Sequence, residues 1–243
     1  MNDKDAEFRW STCVPRGLRR MPPAAGPLGR SHGLGLILGL VFMLGLGPSL
    51  ASALEVKITE SLERVEVLHS GTPVIIEREQ DTFHTVTPDF SMTSRACPPF
   101  CIQPMRLGPG IETLGELEFL DHLQRAGTDP NILIIDSRTP DEYARGTIPG
   151  ATNIPWDALH FGSGADPMDV QEQLERFGVL FDGDFYDFSQ ARTLVLFCNG
   201  PWCGQSPTNI RTLVNLGYPS DRIKWYRGGM QLWHLFGFNV IRP

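Results

Sequence analysis

The chain is predicted to fold as an α/β protein, a parallel sheet flanked by helices, with a small β-rich N-terminal extension. Two short, continuously apolar runs, Ile132-Leu133-Ile134-Ile135 and Leu194-Val195-Leu196-Phe197, have the pattern of strands buried on both faces. Segments of helical periodicity alternate with such runs, which implies parallel strands joined by crossovers. The 243 residues, 41% hydrophobic and 20% charged with 25 Gly and 20 Pro, can fill a globular core and exclude a coiled coil or a multi-span membrane protein.

Taken in order, residues 1–53 read as an export signal. Gly33–Gly47 is a run of fifteen residues without a charge, preceded by Arg30 and His32 and broken by Pro48. Ala51 and Ala53 are the small residues a signal peptidase needs, so cleavage is expected after Ala53. A span needs about twenty apolar residues, and an uncleaved anchor is the alternative. Met21 offers a second start, and Arg19-Arg20 lacks the apolar continuation of a twin-arginine signal. The body is therefore expected outside the cytoplasm, in the periplasm, touching a membrane only through the signal or the anchor. The formal net charge is −7, and residues 54–243 carry −10 of it once the basic leader is removed. Such a body repels phosphate backbones, and no nucleic-acid partner is expected.

Residues 54–110 read as the extension and its linker. Val56 and Ile58, Val65 and Val67, then Val74 and Ile76 alternate as three short strands, with Ser70-Gly71 turning the last two. So small an element must pack on the larger C-terminal part of the chain. In SRACPPFCIQPM the prolines forbid regular structure around Cys97 and Cys101. This pair reads as a disulfide-pinned linker or structural thiol pair, with a redox role open. Cys13 leaves with the signal, and four remaining cysteines permit three pairings in a compartment where disulfides persist.

Residues 111–243 form the main domain. Thr113 and Glu116 have capping-box spacing ahead of Leu114, Leu117, Leu120 and Leu123, a helix of about twelve residues ending at Gly127. The first buried strand ends at Asp136. Pro167–Phe177 is helical, Leu194–Phe197 is the second buried strand, and Ser206–Leu216 is a helix stopped by Gly217. Ile223–Tyr226 gives a further strand and Met230–Phe236 a last short helix.

The chemistry concentrates where a buried strand ends at Cys198. The chain then runs through Asn199, Gly200, Pro201, Trp202, Cys203 and Gly204 before entering a helix. Ligands of open α/β sheets bind at such strand ends, and a helix N-terminus offers free amides and positive potential that favour thiolate. The small residues let the loop curl its N–H groups around an anion.

Three segments carry a resemblance. DSRTPDEYARGTIPGATNIP, Asp136 to Pro155, is similar to the Asp-x-Arg, Glu-Tyr, Gly-x-Ile-Pro-Gly-Ala, Asn-Ile-Pro signature of the rhodanese, or sulfurtransferase, family. LVLFCNGPWCGQS and YRGGMQLWHLFGFNV succeed it in the family's order. Over about Ile111–Pro243 the chain thus resembles that family, which implies a parallel five-stranded sheet with Cys198 as nucleophile and the loop amides through Gly204 around it. It also implies that Asp136 belongs to the supporting signature and that Arg138 and Glu142 pair beneath the site.

The implied activity is transfer of a sulfane sulfur through a Cys198 persulfide, from a small donor to a thiol acceptor or protein sulfur carrier, without metal or organic cofactor. Two features depart from the family. Thr147 stands where His is usual, and the loop Asn199–Gly204 carries no charge, so attraction for thiosulfate should be poor. The phosphatases that share the fold need a loop arginine, and here none occurs until Arg211. Cys203 leaves two alternatives, a thiol–disulfide redox protein using both cysteines or a non-catalytic binding module. Trp202 and Trp156 are expected to line the mouth, and Ser206 to cap the helix. Asp182, Asp184 and Asp187 read as a solvated acidic turn rather than a calcium loop.

Overall fold

A computed structural model describes residues 55–183 and 185–243; the signal reading of residues 1–53 and the position of Asp184 lie outside them. β1 (Val65–His69) and β2 (Thr72–Ile76) pair antiparallel. Ser70 and Gly71 both take positive φ, as a two-residue turn between twisted strands requires. The expected third strand at Val56 and Ile58 does not form. Its neighbourhood is held by local bonds instead: Leu62 N–H donates to the Thr59 hydroxyl at 3.0 Å and Thr59 N–H to the Leu62 carbonyl at 2.9 Å. A four-residue helix α1 (Pro88–Ser91) precedes the Cys97–Cys101 segment.

The main sheet contains β3 (Glu112–Leu114), β4 (Ile132–Asp136), β5 (Thr152–Asn153), β8 (Thr193–Phe197) and β9 (Ile223–Tyr226) in the order β3-β9-β8-β4-β5, every pair parallel. The connections hold α2 (Glu116–Ala126), α3 (Pro140–Arg145), α4 (Pro167–Arg176) and α5 (Gln205–Asn215), and α6 (Gly229–Leu235) comes after the last strand. A separate antiparallel hairpin, β6 (Leu180–Asp182) and β7 (Phe185–Asp187), lies between α4 and β8.

Each central strand is apolar throughout because both of its faces are covered. Ile134, Val195 and Phe197 face a core with Phe119, Leu120, Leu123 and Trp233, whereas Ile135, Leu194 and Leu196 face another with Leu174, Ile210, Leu213 and Trp225. The extension belongs to the first of these: Val65, Val67 and Ile76 are buried in it. Glu79 N–H donates to the Gly237 carbonyl at 2.6 Å and Gly150 N–H to His69 Nδ1 at 3.2 Å, tying the extension to the domain near its C-terminal end and ahead of β5.

The expected capping box is corrected. Thr113 lies in β3, where pairing to Trp225 fixes it and its hydroxyl donates to the Met105 carbonyl, so α2 is capped at Gly115 without a capping box. Asp187 accepts the Ser189 amide and hydroxyl at 2.8 and 3.0 Å, which makes this end of the acidic stretch a tight turn. Among the described residues no three His, Cys, Asp or Glu side chains gather as a metal site, and no helix is long and apolar enough to cross a membrane.

Candidate active site

The β4–β8 register pairs Asp136 with Phe197, so both strands end at the same level and deliver Ser137 and Cys198 to one edge of the sheet. Ser137 N–H donates to the Phe197 carbonyl at 2.9 Å, and Asn209 Nδ2 donates to Ser137 Oγ and the Ile154 carbonyl.

Below it lies a buried ion pair. Arg138 Nε and Nη2 both reach the Asp136 carboxylate, the latter at 2.6 Å, and Nη2 also donates to the Gly146 carbonyl at 2.6 Å. Thr147 Oγ1 donates to the same carboxylate at 2.8 Å. Both charged residues are almost fully buried, and their mutual hydrogen bonds make that burial tolerable.

The expected Arg138–Glu142 pair is absent, because Asp136 is two residues away and engages Nε and Nη2 of the guanidinium. Glu142 instead closes a capping box with Thr139 at the start of α3 and turns its carboxylate toward the loop. There it accepts Asn199 Nδ2 at 2.6 Å and Gln205 Nε2 at 3.0 Å. Burial would raise the Glu142 carboxyl, but the amides of Gln205 and Asn199 and the donors of Thr139 outweigh it and hold it below the usual range.

Cys198 leaves β8 and its sulfur tucks under the loop. Ser206 Oγ lies 3.0 Å from Cys198 Sγ and 3.2 Å from Trp225 Nε1. An indole N–H can only donate, so Ser206 accepts from Trp225 and must turn its own proton toward the sulfur. Ser206 is the second residue of α5, where an unpaired helical N–H is free to join in. Burial pushes the Cys198 thiol up, but the Cys203 thiol, the Ser206 hydroxyl and the Ser206 and Gly200 amides prevail and hold it below the ordinary thiol value. Burial and the neighbouring Cys198 sulfur push Cys203 well above that value. Of the two, Cys198 is therefore the more readily ionised thiol. In its protonated form Cys198 can instead donate to the Cys203 carbonyl, at 3.6 Å.

The loop's backbone is fixed from outside. Met230 and Gln231 amides, in the first turn of α6, donate to the Cys198 and Asn199 carbonyls at 3.0 and 2.9 Å. Two glycines permit this approach. Gly229 takes φ +53°, and a Cβ there would strike the Cys198 carbonyl; a Cβ on Gly200 would lie 2.7 Å from that of Gln231.

The segment around Cys97 and Cys101 roofs the loop. Gln103 N–H donates to the Pro201 carbonyl at 2.8 Å, Phe100 meets the Trp202 ring edge to face, and the Arg95 guanidinium stacks 3.8 Å over that ring. Cys97 and Cys101 stand at disulfide-bonding distance with Cα atoms 4.7 Å apart, whereas Cys198 and Cys203 are both free thiols.

A family model described as the rhodanese-like domain matches residues 118–235, which run from within α2 to the end of α6. The chain contains a rhodanese-like domain. Among solved structures it is similar to the human single-domain sulfurtransferase, at 24% identity over 52% of this chain and 96% of that one, with a TM-score of 0.33. A Bacillus halodurans protein is 20% identical over 54% and 77%, TM-score 0.38. A Rhodopseudomonas palustris protein of unknown function, described as a possible tyrosine phosphatase, is 21% identical over 56% and 88%, TM-score 0.38. No curated protein matches the chain.

Several sequence expectations change within the rhodanese-like domain. The amides do not form a complete ring: Pro201 has no N–H, and Cys203 N–H turns back to the Gly200 carbonyl at 2.9 Å. The sulfur is not at an open mouth, since Cys198 is only 2% exposed. Trp202 lines the adjoining cleft, but Trp156 does not; it lies beside His160. Ser206 is not a helix cap, because Gly204 holds that position and the buried hydroxyl serves Cys198. Arg211 is exposed on α5, 3.5 Å from Thr208, and does not turn toward the loop.

Arg95, Arg145 and Arg242, from elsewhere in the chain, line a cleft beside the charge-free loop that neither Cys198 nor Cys203 lines. Ser206 and Trp225 escape sequence reasoning because only the β8–β9 register, which pairs Leu196 with Trp225, brings them together. The Thr139-x-x-Glu142 spacing, by contrast, is readable as a capping box and signals that Glu142 is committed to its own helix.

Proposed function

We propose that the protein is a sulfurtransferase in which Cys198 carries the sulfane sulfur. The observation that supports this most is the set of donors converging on one buried sulfur at a strand-to-helix junction: the Ser206 hydroxyl and amide, the Gly200 amide and the Cys203 thiol. Those donors stabilise negative charge on Cys198, and the same positions suit the terminal sulfur of a persulfide.

In the first step the Cys198 thiolate attacks the outer sulfur of a donor R–S–S⁻. The donor's S–S bond breaks and R–S⁻ leaves, giving Cys198–S–S⁻. In the second step an acceptor thiolate attacks that terminal sulfur, the Cys198–S bond breaks, and the thiolate returns. No net oxidation occurs and no cofactor is required. Because Cys198 is covered, the donor must gain entry by displacing the Cys203 side chain or the segment above the loop.

Contact between Cys203 and Cys198 favours one second reading, a thiol–disulfide redox protein. Paired substitutions separate the two. Sulfur transfer predicts that Cys198→Ser falls to background while Cys203→Ser stays within a few-fold of the parent; equal loss in both favours redox chemistry.

We also propose export with cleavage after Ala53, delivery to the periplasm and a Cys97–Cys101 disulfide formed there. Sequencing the mature N-terminus tests the cleavage. An intact residue 1 on membrane-bound protein would instead indicate an anchor.

A further inference from the structure

Residues 54–243 carry a formal −10, yet one cleft carries the opposite sign. It has a volume of about 980 Å³ and is lined by Arg95, Arg138, Arg145 and Arg242 against Asp89 and Glu142. Arg138 is committed to Asp136, and Glu142 to Thr139, Asn199 and Gln205. Three arginines are then left facing one carboxylate. Neither Cys198 nor Cys203 lines the cleft, so it is suited to holding a group rather than to transforming it.

Two of the arginines are set side by side by the fold. Thr147 and Ile241 exchange backbone hydrogen bonds at 2.9 and 3.0 Å, which brings the chain at Arg242 alongside the end of α3 at Arg145. Both side chains are exposed and make no ion pair or hydrogen bond among the described residues. Arg95 enters from the segment that roofs the loop. Its guanidinium stacks 3.8 Å over Trp202, Nη2 donates to the Asp89 carbonyl at 3.0 Å, and Nε is buried without an acceptor. Stacking holds a guanidinium in place without neutralising it, so this third charge is available too.

Apolar groups share the cleft. Met92 and Phe100 line it at 56% and 43% exposure, large side chains left in water beside the arginines. Exposed Met and aromatic surface rimmed by Arg is the composition of a protein contact surface.

This combination selects the occupant. An inorganic anion fills a small part of the volume and leaves the apolar wall wet. A nucleic acid or an anionic membrane presents an extended array of charge, which the acidic remainder of the body repels. A peptide segment carries separate carboxylates with apolar side chains between them, and guanidinium forks match carboxylates. A basic cleft on an acidic body also steers such a partner to this face.

We propose that the cleft is a docking site for an acidic segment of a partner protein. Arg145 and Arg242 pair with its carboxylates, Arg95 takes a further one, and Met92 and Phe100 cover the apolar side chains between them. Docking of this kind is independent of the chemistry at Cys198. Four of these five residues, all but Arg145, lie outside residues 118–235, so the family match does not carry it.

The test is fluorescence anisotropy of the full chain at about 0.15 M salt. The probe is a labelled, end-blocked hexapeptide with two glutamates on either side of two leucines, and the control replaces every glutamate by glutamine. The acidic peptide should bind saturably and the glutamine peptide about ten- to a hundredfold more weakly, the loss expected for charge-assisted bonds. Arg145→Gln/Arg242→Gln should weaken the acidic peptide by the same factor with thermal unfolding unchanged. Arg211→Gln, at an exposed arginine outside the cleft, should leave the affinity as it is. No saturable binding, equal affinity for the two peptides, or parent-like affinity in the double variant would overturn the proposal. So would displacement of the acidic peptide by sulfate more readily than by chloride at equal ionic strength, the mark of an inorganic-anion site. Self-association or binding to phosphatidylglycerol vesicles that the double variant abolishes would overturn it as well, by giving the arginines to a second copy or to a lipid surface.

Discussion

Cys97 and Cys101 sit four residues apart in an exposed, proline-broken segment, whereas Cys198 and Cys203 sit five apart around a buried turn. The first two sulfurs lie at bonding distance. The second two are free thiols that, besides each other, have partners of their own: the Ser206 hydroxyl donates to Cys198 Sγ, and Gln205 Oε1 lies 3.2 Å from Cys203 Sγ. Sequence spacing is nearly the same in the two pairs, so the surroundings set the difference. An exposed turn offers a thiol little besides its neighbour. The strand-to-helix junction offers hydrogen bonds that a disulfide would forfeit, and a buried donor left unpaired costs about 1–3 kcal/mol.

This contrast can be broken from beneath. Arg138→Met leaves the Asp136 carboxylate buried without its counter-charge and should destabilise the protein by about 3–5 kcal/mol, read from the denaturant midpoint. A loss below about 1 kcal/mol would show that the ion pair does not hold the sheet edge under the lower cysteines.

Ser206→Ala sharpens the comparison at the sulfur itself. A hydrogen bond to a charged group contributes about 1.5–3 kcal/mol, so its loss should raise the pH at which Cys198 half-ionises by about 1–2. The sign is set by the lowered native value. Thiolate stabilisation is complete above the unfolded thiol value and is lost as pH falls through the native one. The alkylation profile of Cys198 should therefore move to higher pH in Ser206→Ala, and an unmoved profile with intact fold would remove Ser206 from the site. Trp225→Phe should act in the same direction by freeing the Ser206 hydroxyl to turn away.

The upper pair should matter least. Cys97→Ala/Cys101→Ala opens a short loop and should cost about 2 kcal/mol at most, leaving the Cys198 alkylation profile in place. A shifted profile would mean that the roof tunes the sulfur as well as covering it.

Legibility in the sequence depends on whether the physics is local. Continuous apolar runs reveal β4 and β8 because burial on both faces leaves no polar alternation, and the strand-to-helix junction at Cys198 comes with them. Thr113 misleads because its spacing to Glu116 fits a cap, while pairing to β9 decides its conformation. Arg138 pairs with Asp136, nearer in both chain and space, rather than with Glu142. Ser206 with Trp225, and Arg95 with Trp202, depend on register and on the path of an irregular segment, which residue patterns do not encode.

The most direct measurement is the sulfur inventory of freshly isolated protein, alkylated under native conditions before any reductant and read by mass spectrometry. Cys198 should appear alkylated or carrying one extra sulfur, with Cys97 and Cys101 blocked as a pair. A Cys198–Cys203 linkage, or a Cys198 that reacts only after unfolding, would contradict the proposed chemistry.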